Sequence, residues 1–126
     1  MASKCVLIVD DEVSIHKVVS LSLRMEADWS VITAASGKEG IKQAESQQPD
    51  VILLDVMMPE TDGIATFEAL KNNPETAAIP VVLLTAKTRA AEKRLFEKLG
   101  VAGVITKPFT PLALASEISK LLHWPM

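Results

Sequence analysis

The chain has 126 residues, is 48% hydrophobic and 23% charged, and carries a formal net charge of −3. That is enough for one domain with a packed core, too apolar for disorder, and without the positive excess that draws a whole protein to nucleic acid. The single cysteine, Cys5, excludes an internal disulfide framework and agrees with a reducing compartment, and no apolar run is long enough to span a bilayer.

Met1-Ala2-Ser3-Lys4 runs straight into the first apolar stretch with no signal-peptide core, so a soluble, cytoplasmic protein with no membrane partner is expected. Cys5 to Val9 reads as the first strand. Asp10, Asp11 and Glu12 lead into a helix with Ile15, Val18, Val19 and Leu23 along one face. Trp29 to Thr33 reads as the second strand. Ser36-Gly37-Lys38-Glu39 is a capping-box pattern that starts a second helix through Ile41 and Ala44, ended by Gln47-Gln48-Pro49. The unbroken run Val51 to Leu54, stopped by Asp55, has the character of a strand buried on both faces.

After Asp55, Met58-Pro59 and Asp62-Gly63 mark a loop, and Ile64, Phe67 and Leu70 give a third helix closed by Asn72-Asn73-Pro74. Val81 to Leu84 is another buried run, ending in Thr85. A charged fourth helix is expected from about Thr88 to Leu99. The fifth strand is expected over Ala102 to Thr106, and Thr110 and Pro111 to start the last helix, with Leu114, Ile118, Leu121 and Leu122 on its apolar face. His123 to Met126 is a short tail. The alternation is β-α five times over, with connections long enough for parallel crossovers, so residues 1–126 read as one α/β domain with a doubly wound, five-stranded parallel sheet.

In such sheets ligands bind at the carboxyl ends of the strands. Strands one, three, four and five end in Asp10-Asp11, Asp55, Thr85 and Lys107. Two bare carboxylates about 4 Å apart repel by about 4 kcal/mol at an effective dielectric of about 20, so the cluster should recruit a cation. An all-oxygen donor set suits Mg²⁺, which keeps several waters and can hold a phosphate oxygen as well. Lys107 adds a second positive charge and Thr85 a hydroxyl donor, an arrangement suited to a phosphoryl group in transfer, with Asp55 as nucleophile.

Val9-Asp10-Asp11-Glu12, Leu54-Asp55-Val56-Met57-Met58-Pro59 with Asp62-Gly63, Leu84-Thr85-Ala86 and Lys107-Pro108-Phe109 together resemble the receiver domain of two-component response regulators, in its order and spacing, from Lys4 to about Leu122. The resemblance implies a flavodoxin-like fold with strand order 2-1-3-4-5. It implies Asp55 as phosphoacceptor, and Mg²⁺ held directly by Asp11, largely through water by Asp10, and by Asp55 and the backbone carbonyl of Met57. It gives Lys107, Thr85 and the Ala86 N–H to the phosphoryl oxygens, and a cis Lys107–Pro108 bond. Val104 stands three residues before Lys107, where many members carry a Tyr or Phe that rotates inward on activation. Met57 and Lys87 occupy positions that tune dephosphorylation in the family.

The implied partners are a sensor histidine kinase or a histidine phosphotransfer protein, and a downstream protein target met through the fourth helix, fifth strand and last helix, with no direct nucleic-acid contact. The implied activity is phosphorylation and dephosphorylation of the protein itself, without turnover of other substrates. It would act alone, as chemotaxis-type or phosphorelay regulators do, or as the receiver piece of a longer regulator or hybrid kinase.

Other readings compete. A pseudo-receiver would bind partners without phosphorylation. An Asp-nucleophile phosphatase of the haloacid-dehalogenase type needs a second Asp two residues after the nucleophile, where this chain has Met57 after Asp55 or Glu12 after Asp10. A flavodoxin would need a phosphate-cradling loop where Asp10-Asp11-Glu12 stand. Among single residues, Asp10 and Asp11 as plain helix caps, Cys5 as a buried strand thiol, His16 and His123 as solvated helix residues and the basic fourth helix as a solvated face are the ordinary readings.

Overall fold

The structure, a computed structural model, describes residues 4–56, 63–85, 94, 96–107 and 110–124. Five strands, β1 (Cys5–Val9), β2 (Ser30–Ala34), β3 (Val51–Asp55), β4 (Val81–Thr85) and β5 (Gly103–Thr106), pair in parallel in the order β2-β1-β3-β4-β5. The described helices are α1 (Val13–Ala27), α2 (Gly37–Gln47), α3 (Gly63–Asn72) and, after a 3₁₀ turn at Pro111–Ala113, α4 (Leu114–Leu122). This is the doubly wound flavodoxin-like sheet expected. The loop at Met58-Pro59 and most of the predicted fourth helix lie outside the described residues; within that helix, 96–98 are helical.

Side chains alternate across the sheet, so each central strand feeds two cores. Val6, Ile8, Val51, Leu53, Val82 and Leu84 face α1 and α4. Leu7, Val9, Ile52, Leu54, Val81 and Leu83 face α2 and α3. Every residue of β3 and β4 is buried. That is why these runs read as continuously apolar rather than alternating.

Several boundaries differ from the sequence reading for local reasons. Trp29 does not begin β2. Asp28 takes a left-handed conformation (φ 56°), its N–H donates to the Arg24 carbonyl, and the Trp29 N–H donates to the Leu23 carbonyl. Trp29 thus completes the stop signal of α1. Its ring is buried and meets Trp124 edge-on at 5.5 Å, while the Lys4 ammonium sits 4.6 Å from the Trp124 ring centroid. The α2 start follows its capping box closely. The Ser36 hydroxyl accepts the Glu39 N–H at 3.2 Å, and Glu39 reaches back to the Ala35 N–H at 3.3 Å.

Thr110 does not cap the last helix. Its carbonyl accepts the Ala113 N–H, closing the 3₁₀ turn, and Ala113 caps α4 without a side-chain bond. Glu26 of α1 accepts the Ala115 N–H instead, at 3.4 Å. On α1, Val19 and Leu23 are buried and Ile15 partly so, but Val18 is exposed, as are Val13, Leu21 and Met25. The helix has more apolar residues than its core-facing arc can cover. Cys5 is half-buried at the start of β1, less enclosed than a core thiol. Among the described residues no helix is long and apolar enough to cross a membrane.

Candidate functional site

The carboxyl ends of β1, β3, β4 and β5 lie side by side. Asp55 closes β3 in register with Leu84, and the Val56 N–H donates to the Leu84 carbonyl. Thr85 pairs with Thr106, and the Lys107 N–H donates to the Thr85 carbonyl at 2.8 Å, fixing where the lysine leaves β5.

Lys107 bridges two strands. Its ammonium donates to Asp10 Oδ2 at 2.7 Å and lies 3.6 Å from Asp55 Oδ1. The Asp10 side chain is fully buried and that of Asp55 nearly so. Burial by itself would lower the lysine's pKa. The hydrogen bond to Asp10, then the charges of Asp10, Asp55 and Glu12, outweigh it and raise the value above the ordinary 10.5. Lys107 is therefore a fixed cation throughout the neutral range.

Asp10, Asp11 and Asp55 each offer a carboxylate oxygen, and these oxygens lie within 4.8 Å of one another. Among the described residues, three carboxylates thus gather beside one ammonium, which pairs with Asp10 and Asp55. Hard oxygen donors of high negative charge, two buried and one (Asp11) open to solvent, fit a small divalent cation that retains water ligands. Thr85 is buried at the end of β4 beside Asp55. Met57, Ala86, Lys87 and Pro108, named by the sequence reading, lie outside the described residues.

The ordinary reading of the first acid also holds in part. Asp10 Oδ1 accepts the Glu12 N–H at 2.9 Å, so Asp10 shapes the turn into α1 while its other oxygen holds Lys107. Glu12 is the residue at the N-cap position and makes no side-chain cap. Asp11 receives no hydrogen bond or ion pair from the described residues.

His16 was expected to be solvated. It is half-buried, and its Nε2 lies 2.6 Å from the Asp10 backbone carbonyl. No periodicity in the sequence marks this contact, because it spans six residues across a strand-to-helix turn. Val104 packs partly buried against the core beneath α2 and α3. An aliphatic side chain therefore occupies the place where the resemblance expects a mobile ring.

A family model described as "Response regulator receiver domain" matches residues 6–119. The chain is 38% identical over 121 residues to the alkaline phosphatase synthesis transcriptional regulatory protein PhoP of Bacillus subtilis, covering 96% of this chain and 49% of that protein. It is 35% identical over 123 residues to the phosphate regulon transcriptional regulatory protein PhoB of Pseudomonas aeruginosa, covering 98% of this chain and 53% of that one. The chain thus spans about half the length of the curated relatives it matches. Among solved structures, the chemotaxis response regulator CheY4 of Vibrio cholerae superimposes with a TM-score of 0.86 at 32% identity, over 95% of this chain and 99% of that one.

Proposed function

This chain belongs to the response regulator receiver family of two-component signal transduction, and from that premise we propose that Asp55 accepts a phosphoryl group from a phosphohistidine and that the modified domain switches its affinity for a protein target. The observation that carries the reading is the Lys107 ammonium seated between Asp10 and Asp55 at the open mouth of three converging carboxylates.

In the proposed step an Asp55 carboxylate oxygen attacks phosphorus. The P–N bond of the donor phosphohistidine breaks, and its electron pair returns to the imidazole, which leaves and takes up a proton from water. An acyl phosphate forms on Asp55. Lys107 lies near enough to Asp55 to follow the phosphoryl oxygens and offset their charge. Thr85 supplies a hydroxyl at the neighbouring strand end. Asp10 keeps Lys107 oriented, and Asp11, Asp55 and the Met57 carbonyl, with help from Asp10, would hold Mg²⁺. When bound, that ion neutralises charge on the phosphoryl oxygens and on the carboxylates.

The protein is proposed to act in the cytoplasm, to catalyse only its own phosphorylation and dephosphorylation, and to take its phosphoryl group from a sensor histidine kinase or a histidine phosphotransfer protein. With no aromatic ring at Val104, the output change does not run through ring rotation at that position. The target is a protein rather than nucleic acid, in keeping with the net charge of −3.

Incubation with acetyl phosphate and Mg²⁺ should add the mass of one phosphoryl group, and Asp55→Asn or omission of Mg²⁺ should abolish the gain. An unmodified wild type would overturn the proposal in favour of a pseudo-receiver. Mg²⁺ should also raise the melting temperature of the unmodified protein, because it binds the folded cluster and relieves its repulsion. At ten times the dissociation constant the gain is about 1.4 kcal/mol, a shift of a few degrees by calorimetry. No shift would mean that the acids hold no metal.

A further inference from the structure

Asp10 is tied at every polar atom. Its N–H donates to the Ala34 carbonyl at 3.0 Å, Oδ1 accepts the Glu12 N–H, Oδ2 accepts Lys107, and its carbonyl oxygen receives His16 at 2.6 Å. A carbonyl only accepts, so the His16 Nε2 carries the proton of this bond. The bond is the one that this carbonyl receives from the described residues.

That carbonyl belongs to the peptide joining Asp10 to Asp11. The peptide is planar and rigid, so fixing its oxygen also fixes the direction in which the Asp11 nitrogen and Cα depart. Among the described residues Asp11 has no side-chain partner of its own. It is exposed, yet its carboxylate oxygen stands within 4.8 Å of those of Asp10 and Asp55. Released from His16, the peptide can rotate about its flanking bonds, and the Asp11 carboxylate would swing with it.

We propose that His16 is a positioning residue for the strand-end site: by donating its Nε2–H to the Asp10 carbonyl it locks the Asp10–Asp11 peptide and holds the Asp11 carboxylate where a divalent cation is shared with Asp10 and Asp55. This rests on the metal-binding reading given above. His16 touches neither the cation nor the phosphoryl group. Its ring lies at the groove between α1 and β2 with Lys17, Ser20, Arg24 and Thr33, to one side of the carboxylates.

The test compares wild type, His16→Gln and His16→Phe in the full chain. Glutamine offers an N–H at nearly the reach of Nε2, whereas phenylalanine keeps the ring and loses the donor. Mg²⁺ affinity is measured by titration calorimetry, metal-free melting temperature by differential scanning, and phosphorylation by acetyl phosphate across a Mg²⁺ series. His16→Phe is expected to bind Mg²⁺ about tenfold more weakly, the low end of what loss of a supporting hydrogen bond costs a metal site. Saturating Mg²⁺ should restore its phosphorylation rate, and His16→Gln should bind close to wild type.

A purely structural role would lower the metal-free melting temperature and leave the affinity alone. Equal affinity in all three proteins would overturn the inference, as would a His16→Gln defect as large as that of His16→Phe. If His16→Phe does not fold, His16→Ala takes its place under the same criteria. A wild type that binds no Mg²⁺ would instead overturn the reading of the site itself, and this inference with it.

Discussion

Lys107→Met is expected to destabilise the metal-free protein by about 3 kcal/mol or more, the usual cost of removing one partner from a buried ion pair. The reason lies in what stays behind. Asp10 is fully buried and Asp55 nearly so. Methionine fills the space of the lysine stem but removes the ammonium that both carboxylates meet. Differential scanning calorimetry without metal reads the loss, and millimolar Mg²⁺ should return part of it by supplying the missing positive charge. A variant that melts with wild type would mean that the pair contributes nothing to folding. The same pair gives a pH signature. Because the folded state holds the Lys107 proton more tightly than the unfolded chain does, its contribution is complete below the ordinary lysine pKa of 10.5 and fades as pH rises through the higher folded value. Wild type should therefore lose stability above that range more steeply than Lys107→Met, and the two proteins should converge in strong alkali.

Gly63→Ala should be nearly as damaging, for a steric reason. Gly63 opens α3, and its N–H donates to the Val56 carbonyl at 3.2 Å. A Cβ at this position would stand 2.4 Å from the Asp55 carbonyl oxygen and 2.6 Å from the Val56 Cα. Both obstacles are backbone, at the last residue of β3 and the one just after it, so no rotamer change relieves them. Either α3 lifts off or the end of β3 shifts. Overpacking of this kind costs about 1–3 kcal/mol, and because Asp55 would move, acetyl-phosphate labelling should slow as well. Gly103→Ala is the natural control. Its Cβ would meet the Leu121 side chain at 2.6 Å, but that is a partly buried leucine end that can turn aside. Equal losses in the two variants would remove the argument that rigid backbone contact sets the Gly63 cost.

The parts legible in the sequence share a cause. Asp10, Asp55 and Thr85 each end an apolar run buried within the parallel sheet, which leaves little choice about where the last residue goes, and Lys107 follows the shorter run Val104-Ile105 of the edge strand β5. The meeting of these ends followed from that, whereas the strand order came only with the resemblance to the receiver family. What escaped notice depended on geometry across turns. His16 looked like a surface residue because its partner is a backbone carbonyl six positions away, reached only once the chain bends between β1 and α1. Val18 looked like core because spacing alone does not say how wide an arc the sheet covers, and Leu21 and Met25 show the same surplus. Thr110 had the right type for a cap, but the intervening 3₁₀ turn moved the cap of α4 three residues on, to Ala113.

The edge-on pair of Trp29 and Trp124 with Lys4 above it settles how this protein looks in a fluorimeter. These are the chain's only tryptophans, and it has no tyrosine. Lys4 immediately precedes β1 and Asp10 immediately follows it, so the rings lie at the opposite end of the sheet, about 20 Å away at 3.3 Å per residue. Both indoles are therefore excited together, in one spot, remote from the acids. Emission from that spot follows the seating of the C-terminal segment on the base of the sheet, and an occupied strand-end site reaches it only by way of the intervening core.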